Sequence, residues 1–309
     1  MSRKLLTLSL SATLMGGTAH ADTLQVAVDI APVHSLVARV MDGVGMPDLI
    51  IQPGASPHEY SLRPSEAAAL QNSDLVFWIG PDLTPWLTDT IETLAKDASV
   101  TSLLDLDGTV QLDFREGALF EVHDHDEHDD HDDHDKHDHG DHDPHAWLSP
   151  KNAMTWLNVI AGQLSAADPD NAGTYFANAA AGRTEIERLI SEVTATLDPV
   201  RGGRFIVFHD AYQYFEMDFN FPASGAISVS DASDPGPARI TEIRDRISQQ
   251  GINCVLAEPQ FNHDLIATVL DGTDSRTGII DPLGSDLEPG ASLYRELIRN
   301  LSTALASCM

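Results

Sequence analysis

Apolar residues along this chain follow two alternating patterns, which predict strands and helices in regular succession. Short runs rich in β-branched residues predict strands, whereas apolar residues three and four positions apart predict amphipathic helices. The runs predict strands at 24–30, 48–51, 75–79, 100–104, 205–208, 254–257 and 277–280, and the helical spacing predicts helices at 32–41, 65–70, 86–95, 150–164, 169–198, 240–247, 265–270 and 292–306. Strand and helix alternate in both halves, which is typical of parallel sheets covered by helices on both faces.

The longest helical pattern separates the two halves. Apolar residues recur at three- and four-residue steps from Tyr175 to Leu197, and Pro199 ends the pattern. About 28 helical residues would span on the order of 42 Å, which is long for a connection within one small sheet. We therefore expect two lobes and a helix that lies across both. The predicted bounds are 22–167 for the N-terminal lobe, 168–198 for the linking helix and 199–309 for the C-terminal lobe.

The first 21 residues have the pattern of a secretory signal peptide. Arg3 and Lys4 precede the apolar stretch 5–15, and Ala19-His20-Ala21 forms a small-x-small cleavage pattern. The apolar stretch is too short for a membrane anchor, because a transmembrane helix needs about 20 apolar residues. We expect cleavage after Ala21 and an exported, soluble mature protein.

The overall charge narrows the class of partner. The formal net charge is −30, which argues against binding to nucleic acid or to an anionic membrane, because like charges repel. A cationic partner fits this charge better.

The chain contains only two cysteines, Cys254 and Cys308. In an oxidising compartment a disulfide between them is expected, and it would tie the C-terminal tail to a strand. The alternative is a buried thiol at position 254 and a free thiol in the tail.

Residues 123–142 form a segment of biased composition. It contains eight histidines and nine aspartates and no apolar residue, so it cannot bury a core and is expected to be a mobile, solvated loop. Aspartate alone would keep such a spacer soluble, whereas imidazole favours zinc, copper and nickel. We therefore predict weaker, secondary metal sites on its histidines: His123, His125, His128, His131, His134, His137, His139 and His142.

Four further residues of metal-ligand type lie at predicted strand ends or beside a helix start: His58, His145, His209 and Asp281. In open α/β sheets, ligands bind at the carboxyl ends of the strands. Two of the four come from each half of the chain, so a site between two lobes could use all of them. Three imidazoles with an oxygen ligand or water make a tetrahedral zinc site. Each histidine alone could be an ordinary loop or capping residue; their shared placement favours the joint site.

Five segments carry a resemblance to a known family: GASPHEYSLRPS (54–65), DPHAWLSP (143–150), FHDAY (208–212), AEPQF (257–261) and DPLG (281–284). They resemble the periplasmic metal-binding receptors of ABC transporters, and most closely the zinc-uptake receptors of the ZnuA type. The resemblance implies an α/β fold of two lobes, each with a mostly parallel sheet flanked by helices, joined by one long rigid helix. It also implies Zn(II) between the lobes, and His58, His145 and His209 match the family's histidine ligands.

The resemblance further implies a function. A receptor of this type captures Zn(II) in the periplasm as a transported ligand and delivers it to an inner-membrane ABC permease. It is not an enzyme, and we expect a monomer with other periplasmic zinc carriers as candidate partners. The histidine at position 209, where manganese receptors usually carry glutamate, favours zinc.

This sequence departs from the family pattern at one position. Some zinc receptors carry a glutamate ligand immediately before the first histidine, whereas this chain has Pro57. Glu59 follows the histidine and is expected to point elsewhere. The fourth ligand is then Asp281 or water.

Two alternatives to zinc transport stay open at the level of sequence. Three histidines with a solvent position also describe a hydrolytic zinc site, although the chain lacks a His-Glu-x-x-His motif. A receptor for manganese, copper or nickel is the second alternative, because imidazole sites bind Cu(II) more tightly than zinc.

Overall fold

The protein consists of two α/β lobes in a computed structural model that describes residues 24–115, 120, 142–228, 236–260 and 263–309. Within these residues, each lobe has a four-stranded sheet in which all pairings are parallel. The strands of the first lobe are β1 (Val26–Val28), β2 (Asp48–Leu49), β3 (Leu75–Trp78) and β4 (Ser99–Ser102), and those of the second are β5 (Phe205–His209), β6 (Ala226–Ser228), β7 (Cys254–Ala257) and β8 (Arg276–Ile279).

The two sheets share one topology. Their strand orders are β2-β1-β3-β4 and β6-β5-β7-β8. In both sheets the second strand along the chain lies on one side of the first strand, and the third and fourth strands lie on its other side. The crevice beside such a reversal of strand order is where open α/β sheets bind ligands. The repeated topology therefore places two crevices at the carboxyl ends of the sheets, one in each lobe.

Helices surround both sheets, and one long helix connects the lobes. They are α1 (Ala31–Val40), α2 (Pro64–Asn72), α3 (Pro85–Leu94), α4 (Pro150–Ala167), α5 (Ala172–Leu197), α6 (Gln213–Phe219), α7 (Pro237–Gln250), α8 (His263–Leu270) and α9 (Leu293–Cys308). Proline occupies the first turn of several of these helices, where its fixed φ suits the helix and no amide hydrogen is needed. Helix α5 has 26 residues and packs against α1, α4 and α9.

The two-lobed α/β fold and the long joining helix confirm the expected fold class. Two short elements, α6 and β6, were not predicted. Helix α6 lies in an aromatic segment without a clear helical period, and β6 has only three residues. The first turn of the expected long helix, Pro169–Asn171, is a 3-10 turn, and the α-helix itself begins at Ala172. Asp168 accepts hydrogen bonds from Asn171 Nδ2 and Tyr175 Oη at 2.7 and 2.8 Å beside this turn.

A disulfide joins Cys254 of β7 to Cys308 at the end of α9, as expected. The bond closes a loop of 54 residues and contributes roughly 4 kcal/mol on the loop-entropy model. It fixes the last helix of the chain against the sheet of the second lobe.

Two predicted features lie in parts of the chain that the structure does not describe. The proposed signal sequence (1–21) and the histidines from His123 to His139 lie outside the described residues. Among the described helices, none combines the length and the apolar character needed to cross a membrane.

Candidate metal centre

The three predicted histidines line one small pocket between the lobes. The first lobe contributes His58 and His145, and the second contributes His209. The space for a water-sized body inside it is ≈ 20 Å³, and a buried water needs about 10–15 Å³ on the same measure. The pocket can therefore hold an ion or a water molecule. Its remaining lining residues are Ser56, Pro57, Trp147, Glu258, Gln260, Pro282 and Leu283.

The spacing of the imidazole rings suits a shared ligand. Ring centroids of His58 and His145 are 5.6 Å apart, and those of His145 and His209 are 5.3 Å apart. Three imidazoles bound to one zinc at about 2.0–2.1 Å with tetrahedral angles would place their centroids about 5 Å apart. Within the described residues, no group of three or more histidine, cysteine, aspartate or glutamate side chains is arranged to hold a metal ion. The ring spacings are thus close to those of a zinc site, although the described side chains do not form a closed one.

His145 is fixed by the residue two positions before it. Asp143 Oδ1 accepts hydrogen bonds from the His145 backbone N–H at 3.0 Å and from its ring Nδ1 at 2.7 Å. Both side chains are buried. Because a carboxylate can only accept, the proton lies on Nδ1 and Nε2 is the nitrogen suited to a metal. The neighbouring Trp147 donates from Nε1 to Pro282 O at 2.7 Å, which holds this segment against the second lobe.

His209 has the same support from the second lobe. It is the last residue of β5, and its Nδ1 donates to Glu258 Oε1 at 2.7 Å. Glu258 follows β7, the strand beside β5, and is 1% exposed. This pair lies where the strand order of the second sheet reverses. A carboxylate on the far nitrogen of an imidazole is the usual support of a metal-binding histidine, because it fixes the tautomer and the ring.

The sequence prediction missed both supporting carboxylates. Asp143 stands two residues before a candidate ligand, and Glu258 directly follows a buried strand. The position of Glu258 was a usable signal, since a strand end of the second sheet was already expected to face the site.

The loop that carries His58 is held by a tryptophan. It lies in the loop between β2 and α2 and is only partly buried. Trp86, in the same lobe, donates from Nε1 to the carbonyl of Pro57 at 2.8 Å and so holds the loop against α3. The next residue, Glu59, is exposed and does not line the pocket.

Asp281 is held in the loop that follows β8 and does not line the pocket. Its Oδ1 accepts from Leu283 N at 2.9 Å and from Gln260 Nε2 at 3.4 Å, and its Oδ2 accepts from Ser285 N at 2.5 Å. The carboxylate thus stabilises this loop in the described arrangement. Two residues beside Asp281 do line the pocket: Gln260, which donates a hydrogen bond to it, and Pro282, which follows it in sequence.

His142 is the one histidine of the 123–142 segment among the described residues. Its Nδ1 lies 3.3 Å from Asp113 Oδ1, and its backbone N–H donates to Asp82 Oδ2 at 3.2 Å. The segment therefore re-enters the first lobe close to Asp143 and His145. A metal-binding role for His142 stays a prediction.

Comparison with known sequences identifies relatives along almost the whole chain. The family described as "Zinc-uptake complex component A periplasmic" matches residues 26–308. A protein of Brucella abortus named "High-affinity zinc uptake system protein ZnuA" is 47% identical over 304 residues, covering 92% of this chain and 91% of the relative. A protein of the same name from Paracoccus denitrificans is 44% identical over 306 residues and covers 94% and 93%.

Solved structures share the fold. A structure titled "Crystal structure of ZnuA" superposes with a TM-score of 0.75 at 22% identity and covers 93% of this chain and 99% of its own. The periplasmic zinc-binding protein TroA from Treponema pallidum gives 0.76 at 17% identity, with 93% and 99% covered. The match of the family over residues 26–308 and the identity to full-length relatives lead to one conclusion: this chain belongs to the ZnuA family of periplasmic zinc-uptake components.

Proposed function

We propose that this protein captures Zn(II) in the periplasm between its two lobes and delivers it to an inner-membrane ABC permease. The observation that carries the proposal is the set of three histidines around one pocket, two of them supported by buried carboxylates. Imidazole is a preferred ligand of zinc, and relatives that share nearly half of the sequence are named as zinc-uptake proteins. Zinc is the cargo of the protein in this proposal.

The proposed ligands are the Nε2 atoms of His58, His145 and His209. His145 and His209 form a preset pair, because the carboxylate on each Nδ1 fixes the ring before metal arrives. Zinc binds this pair first, and His58 then moves inward with its loop to complete the set. Such a movement would shorten the 5.6 Å between the ring centroids of His58 and His145.

The proposed fourth ligand is Asp281, with water as the alternative. To reach the metal, its carboxylate has to give up one of the hydrogen bonds that hold it. The bond from Gln260 is the weakest candidate, because 3.4 Å is long for an N–H···O bond. A carboxylate ligand would neutralise one charge of the zinc ion and close the tetrahedron, as a binding site requires.

The size of the pocket favours transport over hydrolysis. A hydrolytic zinc site needs room for an organic substrate beside the metal, whereas this pocket has room for one water-sized body. The protein is accordingly proposed to be a solute receptor without enzymatic activity. We propose that the histidines of residues 123–142 bind additional zinc weakly and raise its local concentration near the pocket.

Metal analysis of protein purified without an affinity tag tests the proposal. We expect one tightly bound zinc per chain in the full-length protein, and the same one zinc after deletion of residues 123–142, with most of the weaker sites lost. His209→Ala in the deletion background should lose the tight zinc. A deletion protein without tight zinc, or another metal taken up in preference from a mixture, would contradict the assignment.

A further inference from the structure

A buried ion-pair cluster joins the two lobes beside the pocket. Arg115 donates from Nε to both carboxylate oxygens of Asp210 at 3.0 and 2.9 Å, and from Nη1 and Nη2 to Glu216 at 2.8 and 3.0 Å. A further contact links Arg115 Nη2 to Asp210. The side chains are only 18%, 9% and 5% exposed. One guanidinium therefore binds two buried carboxylates with its planar set of donors, which gives both strength and fixed geometry.

The position of the cluster links it to the proposed metal ligands. Asp210 is the residue after His209, and Glu216 lies on α6, whereas Arg115 belongs to the segment that leaves the first lobe after β4. The cluster thus attaches the end of β5, which carries His209, to a segment of the opposite lobe.

Helix α6 binds the same segment of the first lobe at further points. Tyr214 Oη accepts from Leu112 N at 3.0 Å and donates to the carbonyl of Asp143 at 2.7 Å. Gln213 Nε2 donates to the carbonyl of Asp113 at 3.0 Å and to Asp143 Oδ2 at 3.1 Å. Asp143 is the residue that fixes the His145 ring. Helix α6 therefore contacts the support of His145 directly. Through Glu216 it also contacts Arg115, which binds Asp210, the residue after His209.

We propose that Arg115 is a positioning residue that fixes His209 relative to His145 and so makes these two histidines one preset half of the metal site. The inference rests on the proposed zinc-binding function and deepens it. Without the cluster, the turn at His209–Asp210 can shift relative to the first lobe, and zinc binding has to restore the geometry. The consequence is weaker binding, expressed mainly as faster dissociation, while the stoichiometry stays at one.

A single substitution of Arg115 is a poor test, because it leaves two carboxylates buried without their cation and this alone can unfold a protein. The informative protein carries Arg115→Met, Asp210→Asn and Glu216→Gln together. This combination keeps the approximate shapes and removes the cation together with both carboxylates, so no member of the cluster stays behind as an unpaired buried charge. Arg115→Lys is the second variant, because lysine keeps the charge but lacks the planar fork.

A matched control exists elsewhere in the chain. Arg39 of α1 binds Glu185 of α5 at 3.0 Å, and these side chains are 16% and 24% exposed. Neither residue lines the pocket. Glu185 also lies 3.6 Å from Arg295. Arg39→Met combined with Glu185→Gln therefore removes a partly buried arginine–carboxylate contact without touching the supports of the histidines.

The experiment measures the Kd for zinc by competition with a chromophoric chelator, and zinc dissociation by stopped flow, in folded full-length proteins. We expect the triple variant to keep one tight zinc site, distinct from the weaker sites of residues 123–142, with a Kd at least about tenfold higher, as found when groups that orient metal ligands are changed. Most of the change should lie in a faster dissociation rate, Arg115→Lys should be intermediate, and the control pair should match the wild type. The absorption spectrum of bound Co(II) should change in the triple variant alone.

Two results would overturn the inference. One is a folded triple variant with the dissociation rate and Co(II) spectrum of the wild type. The other is an equal loss of affinity in the control pair, which would indicate a general effect of lost stability. Neither result affects the proposed function, which is tested separately: retention of the tight zinc in both His145→Ala and His209→Ala would contradict it.

Discussion

His145 and His209 are buried between the lobes, each hydrogen bonded to a buried carboxylate, whereas His58 lies on a partly exposed loop of the first lobe. The three residues are of one type and line one pocket, and buried carboxylates hold the rings of His145 and His209. A preset pair reduces the ordering that binding has to accomplish, and a third ligand on a loop leaves a route for the ion to enter and leave. A receptor that must bind tightly and then deliver its cargo needs both properties.

The two lobes differ in a related way although their sheets share one topology. Where the strand order of the second sheet reverses, His209 and Glu258 form part of the pocket. At the corresponding reversal in the first sheet, Asp29 is buried and accepts from Ile30 N and Ile79 N, both at 2.7 Å. The same sheet edge thus carries a proposed metal ligand in one lobe and ties two strand ends together in the other.

The largest expected effect follows from removal of a ligand of the preset pair. His145→Ala and His209→Ala should each weaken zinc binding by orders of magnitude, because each removes one of at most four ligands. His58→Ala should also lose tight binding, but less completely, since two oriented imidazoles remain. Titration calorimetry on the three variants measures the ranking. An affinity loss that is largest for His58→Ala would contradict the proposal that His145 and His209 are the preset ligands.

Removal of the supporting carboxylates should have the next largest effect. Asp143→Asn and Glu258→Gln keep size and hydrogen-bonding capacity but lose the charge that fixes the tautomer, and we expect zinc affinity to fall about 10- to 100-fold. Glu59→Gln is the matched control beside His58 and should have no effect, because Glu59 is exposed and outside the pocket. Competition titration checks all three variants. Wild-type affinity in Glu258→Gln would show that the support is dispensable.

A smaller effect is expected at Asp281. If its carboxylate completes the tetrahedron, Asp281→Ala should lower zinc affinity more than Glu59→Ala and should admit a water molecule to the metal. The Co(II) absorption spectrum reports the change of ligand set. An unchanged spectrum in Asp281→Ala would assign the fourth position to water in the wild type as well.

Asp29→Asn should leave the zinc affinity unchanged, but it should change how the folding stability depends on pH. Burial raises the pKa of Asp29 from 3.8 to about 7, so the folded protein holds a proton here that the unfolded chain releases above about pH 4. The contribution of this group to folding is therefore fully present below pH 4 and is lost as the pH rises to 7. In urea unfolding of apoprotein, the wild type should lose stability relative to Asp29→Asn across this window, by on the order of 1 kcal/mol per pH unit. A difference that does not vary with pH would contradict the raised pKa.

The sequence predicted much of the fold and the residue types of the site. The two-lobed α/β class followed from alternating apolar patterns, and His58, His145 and His209 were selected because each lies at a strand end or beside a helix start. All three line the pocket. Local pattern was sufficient here because parallel strands bring their carboxyl ends to one edge of the sheet.

The supports of the site could not be predicted in the same way. Glu258 meets His209 across 49 residues because β7 lies beside β5, and Arg115 meets Asp210 across 95 residues because α6 lies against the other lobe. Such pairings depend on strand order and on how the lobes pack, which apolar periodicity does not specify. The difference in burial between His58 and the other two histidines arises from the same long-range packing.

An anomalous difference map at the zinc edge, from crystals of the zinc-loaded protein without residues 123–142, tests the central claim most directly. The account predicts one strong peak between the lobes, with Nε2 of His58, His145 and His209 at about 2.0–2.1 Å, and with Asp143 and Glu258 still bound to the far nitrogens. A peak bound by fewer than two of these histidines, or a principal zinc elsewhere on the protein, would contradict it.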